Sequence, residues 1–315
     1  MSITFLKQLK YIIGYSDIFD YFFSMRTIYP FILTIIFAVF NYGCSTLSSI
    51  TVGMTEEILS HGVDAMFEEG DLDIAEKSLP ANLKLLEGFH RADPNNQKIS
   101  LLLIEGYTGY ALGFVEDVDA ERAKILYSKG RDFGLSVLKK NNQFKNNFDG
   151  NLSEFKNSLI DFTKEDVPLI FWTANAWGNL INLSLNDPEV IKDLYKVNTM
   201  MQFVIQQDES YFYGGAHIYF GTILATQPRV LGGNPDLAKT HFDKAIAIGK
   251  GKFLLPNIYY AKSYAVQTQN SGLFISLLNK TLEASIDILP QHRLVNAISK
   301  RKAKLLLEKQ TEYFE

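Results

Sequence analysis

The chain has 315 residues, 47% of them apolar and 21% charged, with 31 Lys+Arg against 35 Asp+Glu and a net charge of −4. This balance excludes a polybasic nucleic-acid surface, and a single cysteine excludes both an internal disulfide and a cysteine-built metal site. The length is enough to bury a large core, as one elongated domain or two close-packed halves.

The first element is a short apolar run, Ile28 to Phe40, followed by Asn41-Tyr42-Gly43-Cys44-Ser45. A positive n-region, a short apolar stretch and a small residue before the cut make a secretory signal that is too short to span a bilayer stably. With cysteine directly after the small residue, the pattern is that of a lipoprotein signal, and Cys44 is the acylation site. Asn41 and Tyr42 depart from the usual residues before such a cut. A signal of this kind starts near the initiating methionine, and Met25-Arg26-Thr27 supplies that start. Residues 1–24 then read as an upstream extension, 25–43 as the signal peptide and 44–54 as a tether. The alternative is an uncleaved anchor or a buried apolar helix.

From residue 55 to 315 the periodicity is helical, with no clear strand pattern. Ile99, Leu102, Leu103, Tyr107, Tyr110, Ala111 and Phe114 recur at steps of three and four, as do Ala123, Tyr127, Gly130, Gly134, Val137 and Leu138. A break at Glu116 to Asp119 joins these two stripes into a helix hairpin. Small residues beside large aromatics, seen again in Ala238, Phe242 and Ala245, fit tetratricopeptide-type packing, where paired backbones approach closely. The expected fold is therefore all-α, with tetratricopeptide-like hairpins forming one curved domain.

Asp187-Pro188-Glu189 and Asn234-Pro235-Asp236 mark helix starts, each with a capping side chain before a proline. Thr226 to Asn234 is a long connection for a helical repeat. It reads as a cover over the groove between hairpins, or as a shaped loop packed on a partner. The last hairpin is expected over Ile258 to Gln267 and Leu273 to Leu289, stopped by Pro290. Lys300-Arg301-Lys302 with Lys304 reads as a solvated basic face.

Motifs for catalysis are lacking: no His-Glu-x-x-His, no phosphate loop and no Gly-x-Ser-x-Gly elbow occurs. His61, His90, His217, His241 and His292 are scattered. His217 follows Tyr213-Gly214-Gly215, whose glycines permit close approach of a backbone or ligand, although a packed, hydrogen-bonded histidine is the ordinary reading. An acid/base pair of Glu105 and His217 is the one enzymatic arrangement worth testing. Trp172 and Trp177 lie about 140° apart around a helix, so one can face the core and the other a cavity. Core packing is the ordinary reading for each.

The ordered set Ala75 to Leu86, Tyr107-Thr-Gly-Tyr-Ala, Glu121 to Tyr127, Lys164 to Gly178, Tyr213-Gly-Gly-Ala-His, Leu231-Gly-Gly-Asn-Pro, Ala238 to Ala245 and Leu294 to Ala303 resembles the TatT family of periplasmic lipoproteins associated with TRAP transporters. Phe171 stands where that family often has tyrosine. The resemblance implies an acylated Cys44, a homotrimer, contact with the transporter's substrate-binding protein, and a partly apolar channel or cavity. The expected role is thus a non-enzymatic, lipid-anchored accessory protein on the periplasmic side of the envelope, with the outer membrane favoured by Ser45. It would dock the binding protein and handle a hydrophobic or organic-acid ligand, without metal or cofactor. Trp172, Trp177, Tyr213 and His217 are the candidate contact residues. The alternative role is a periplasmic scaffold for envelope assembly unrelated to transport.

Overall fold

A computed structural model describes residues 58–314 apart from Asn186. Cys44, the signal peptide, the tether and the upstream extension lie outside the described residues. Residues from His61 onward form one compact unit. Among the described residues it is built of helices, turns and bends, with no strand.

Asparagine and aspartate set most of the helix starts. Helix α1 (Leu72–Ala92) begins at Asp71, whose carboxylate accepts from the Asp73 amide at 2.8 Å. Asn96 opens α2 (Gln97–Tyr110) and Asp119 opens α3 (Ala120–Leu138) by the same short side-chain acceptance. Each such cap satisfies an amide that has no partner within the helix. The expected break lies where it was placed, but α2 first widens into a π turn, Ala111–Val115.

Two short helices follow, α4 (Asn142–Asn147) and α5 (Leu152–Ser158). They lead into the apolar α6 (Val167–Asn182), which packs against α2, α3 and the next long helix, α7 (Leu194–Asp208). The chain continues through α8 (Tyr211–Thr226) and α9 (Pro235–Ile248), which lie against each other. Helix α10 (Leu255–Tyr259) runs into a second π turn, Tyr260–Ala265, and α11 (Ser271–Glu283) and α12 (Arg293–Glu308) complete the body. Chain neighbours are mostly spatial neighbours, and α12 also touches α1.

Close helix approach explains the small residues in α3. A Cβ on Gly134 would lie 2.0 Å from the Thr173 hydroxyl of α6, and one on Gly130 3.1 Å from the Thr108 hydroxyl of α2. Tyr127 fills the space beside them and is fully buried.

Three expectations change. Helix α11 ends at Glu283 rather than Leu289, because Ala284 turns extended and its carbonyl is taken by Lys300 Nζ at 2.6 Å. The basic run on α12 is not a solvated face: Lys302 is 5% exposed and ion-paired with Glu116 and Asp117, and Arg301 donates to the Gly113 carbonyl. Two carboxylates at the end of the first hairpin draw the lysine inward, and only Lys304 is exposed. The connection after α8 turns at Gly232, with φ 97°, and is pinned by Gly233 N–H to the Pro228 carbonyl. It leaves Val230 89% exposed, so that side chain covers no groove.

Candidate functional site

Helix α6 carries both tryptophans, and the structure sends them to different surroundings. Trp177 stacks on Phe148 with ring centres 6.0 Å apart. Phe148 belongs to a group with Phe144, Phe155 and Phe162, supplied by α4, α5 and the turn after them. This cluster carries its own cations: Lys139 Nζ lies 3.7 Å and Lys196 Nζ 4.3 Å from the Phe148 ring centre. Lys196 is buried against the rings and paired with Asp193 at 3.0 Å.

Trp172 faces the start of α8. Its ring centre is 4.7 Å from that of Phe212 and 5.3 Å from that of Phe171. Phe212, Tyr213 and Gly214 all take left-handed backbone angles, with φ of 45°, 55° and 77°. Such angles are costly for bulky residues and persist where surrounding contacts over-determine them. Here the contacts are aromatic: Phe212 meets Trp172, Phe253 and His292, while Tyr213 stacks on Phe253 at 4.9 Å and accepts a hydrogen bond from Gln291 at 3.1 Å. Phe67 packs edge-on to His292 at 5.0 Å.

The glycines that drew attention to this segment serve protein contacts. A Cβ on Gly214 would be 3.2 Å from Ala245 Cα, and one on Gly215 would lie 2.4 Å from the Phe171 ring. They let α8 lie directly on α9 and on α6.

The polar groups of this cluster are under-satisfied. Trp172 is 5% exposed and its Nε1–H has no hydrogen-bond acceptor; the buried Nδ1 of His292 is likewise unpaired. The Tyr211 hydroxyl and the Trp172 indole act on each other, which offsets part of the rise that burial imposes on the phenol. Glu105 of α2 acts on this cluster through Tyr211. Burial, then the neighbouring Asp64, pushes its carboxyl up to about 8. Burial also raises the Tyr211 phenol, with Glu105 adding to the effect. Glu105, Tyr211, Phe212, Tyr213, His292 and Phe67 all keep part of their surface accessible, unlike the fully enclosed residues behind them.

His217 stands apart from this group. It is 1% exposed and its Nδ1 lies 2.8 Å from His241 Nδ1. Its Nε2 faces Glu209 at 3.5 Å, which favours Nε2–H on His217 and an Nδ1–H donated by His241. Burial lowers both imidazoles, His241 to about 4, where His217 and Lys244 add to the effect. The two ring nitrogens of His217 face His241 and Glu209 rather than Glu105, so the expected acid/base pair does not form. Among the described residues no group of three or more potential ligands is placed to hold a metal ion.

Sequence reasoning singled out Trp172 and Tyr213, which do meet in one cluster. It missed Phe212, Tyr211 and His292. Their signal was the aromatic run Tyr211-Phe212-Tyr213 before two glycines; His292 carries none, being remote in sequence.

The TRAP transporter T-component family matches residues 68–314, nearly the whole helical body. The chain is also similar to a protein of Treponema pallidum (strain Nichols) described as uncharacterized, 24% identical over 279 residues, covering 82% of this chain and 86% of the relative.

Proposed function

The chain belongs to the TRAP transporter T-component family, and on that premise we propose that it is a lipid-anchored accessory protein that docks the substrate-binding protein of a TRAP uptake system. Membership makes it an accessory transport component and associates it with the envelope. Among the described residues no helix is long and apolar enough to cross a membrane. Acylation of Cys44 supplies the attachment in this reading, with two or three chains needed for stable retention. The outer membrane is the favoured location, facing the periplasm. The working unit is a homotrimer of tetratricopeptide-like hairpins. The cluster around Trp172 and Tyr213 handles a hydrophobic or organic-acid ligand received from the binding protein.

The observation that carries the reading is the family match across the body. The test is affinity capture of the anchored protein from its own envelope, with identification of co-purified proteins. Recovery of a TRAP substrate-binding protein at near-equal amounts is the expected result. Recovery of envelope-assembly proteins without any TRAP component would favour the scaffold role. Metabolic labelling with a fatty acid, compared between the native chain and Cys44→Ser, tests the anchor independently.

A further inference from the structure

We propose that the outward face of α1 lies against an anionic lipid surface and orients the helical body on the membrane that holds it. The proposal rests on the Cys44 anchoring given above and adds a second contact, made by the folded body itself.

A helix turns by about 100° per residue, so residues three, four and seven apart share a face. Ala75, Leu83 and Leu86 form the buried face of α1, where Leu83 meets Gly106 of α2. On the opposite side stand Ile74, Ala81, Leu85, Gly88 and Ala92, all exposed, with Ile74 and Leu85 each at 55%. Among the described residues no neighbouring group lies within 4 Å of where a Gly88 Cβ would be. The outer face of a surface helix is ordinarily polar. That of α9 follows the rule, exposing Asp236, Lys239, Thr240, Asp243 and Lys244 around Leu237.

The bases of α1 run along one edge of this apolar stripe. Lys77, Lys84 and Arg91 recur every seven residues and all three are exposed. The acids beside them cancel part of that charge. Asp73 pairs with Lys77 at 3.2 Å and is itself exposed. Glu87 pairs with Lys84 at 2.8 Å, but its side chain is turned inward at 15% exposure, where it accepts from Tyr107 and faces Lys129 at 3.8 Å. The exposed heads along this edge are therefore three cations and the carboxylate of Asp73.

An apolar stripe edged by lysine and arginine is what an interfacial helix presents to anionic lipid. Long basic stems let the charged heads reach lipid phosphates while Ile74 and Leu85 enter the boundary beneath the headgroups. Continuity of the chain favours lipid over an acidic protein as the occupant. Roughly thirty residues join Cys44 to α1, a reach of about 100 Å at most when extended, so an acylated chain keeps this face beside lipid at high effective concentration. Contact is then intramolecular, and a modest patch suffices.

The test places a polarity-sensitive fluorophore at Leu85→Cys or, as a control on the loop after α8, at Val230→Cys. Each full chain, taken from its own envelope, is incorporated into vesicles of phosphatidylethanolamine and phosphatidylglycerol that contain nitroxide-bearing lipid. The label at position 85 should shift to the blue and be quenched, and the label at 230 should do neither. Quenching should fall in phosphatidylcholine vesicles. Lys84→Gln and Arg91→Gln should weaken the contact by about fivefold for each charge removed, with circular dichroism confirming that the helices persist. A label at 85 that stays unquenched on attached chains overturns the proposal, as does equal quenching at both positions. Shielding of position 85 by a second copy or by the TRAP binding protein, in place of lipid, overturns it as well. Cys44→Ser separates the two readings. If that chain stays attached with position 85 quenched, the anchor is wrong and the α1 contact stands; if it detaches while the acylated chain shows position 85 unquenched, the anchor stands and the α1 contact is wrong.

Discussion

Lys302 Nζ lies 2.8 Å from Glu116 Oε1 and 2.6 Å from Asp117 Oδ2, tying the last long helix to the end of the first hairpin. Tyr127 donates to the other Glu116 oxygen at 2.6 Å, so the carboxylate is held from two sides. The lysine is 5% exposed, and a buried ion left without its partner is far more costly than the pair is beneficial. Lys302→Met should therefore lower unfolding free energy by about 3–5 kcal/mol. Adding Glu116→Gln and Asp117→Asn to that variant should recover part of the loss. Urea denaturation of the three proteins measures both effects, and a single variant as stable as the native chain would contradict the buried network.

Glu105 should make stability fall with rising pH. Burial and the neighbouring Asp64 raise its carboxyl from the ordinary 4.5 to about 8 in the fold. Between those values the native state keeps a proton that the unfolded chain has lost, so the native state binds more protons and stability declines as pH rises through the window. Glu105→Gln removes this dependence. At pH 8 the variant should be more stable than the native chain by roughly 2–4 kcal/mol, and near pH 4.5 the two should converge. Denaturation curves at the two pH values decide it; parallel profiles would refute the burial of an unpaired carboxyl.

His217 and His241 act in the opposite direction. Both are held below the ordinary histidine value, His241 at about 4. The unfolded chain takes up protons near pH 6.5 while the packed pair resists, so stability falls as pH drops from about 6.5 toward 4. His241→Asn offers a side-chain donor to His217 Nδ1 without a titrating ring. It should flatten the acid limb while leaving stability near pH 7.5 within about 1 kcal/mol. An unchanged acid limb would mean that the histidines do not govern it.

Gly134 is the tightest point between α3 and α6. Thr173, whose side chain a new Cβ would meet, is fully buried and donates its hydroxyl to the Leu169 carbonyl at 2.6 Å. Gly134→Ala should destabilise by about 1–3 kcal/mol or more through overpacking. Thr173→Ala in the same chain should restore much of the loss, giving a coupling between the two sites in a double-mutant cycle. Independent, additive effects would show that the helices can part without cost.

Much of the helical framework was legible in the residues. Asp187 and Asn234 announced helix starts because capping depends only on a side chain and the amides two or three positions ahead. The stripes on α2 and α3 were visible because both helices are long enough to repeat their period. The phenylalanine group at Phe144, Phe148 and Phe155 was not visible, since α4 and α5 have 6 and 7 residues and display no full period. The angle between Trp172 and Trp177 foretold separate surroundings, but not that Trp177 would stack on Phe148 beneath two lysines while Trp172 met Phe212.

The sequence by itself determined an all-helical body, its close-packed glycine positions and its family, because periodicity, caps and motif order are written within a turn or two of chain. Only the tertiary structure decided that Lys302 is buried, that His217 pairs with His241, and that Phe212 and Tyr213 adopt left-handed angles beside Trp172 and His292. Those outcomes depend on groups remote in sequence, up to 186 positions apart for Lys302 and Glu116. Burial and field at each site arise from how whole helices pack, which no local pattern encodes.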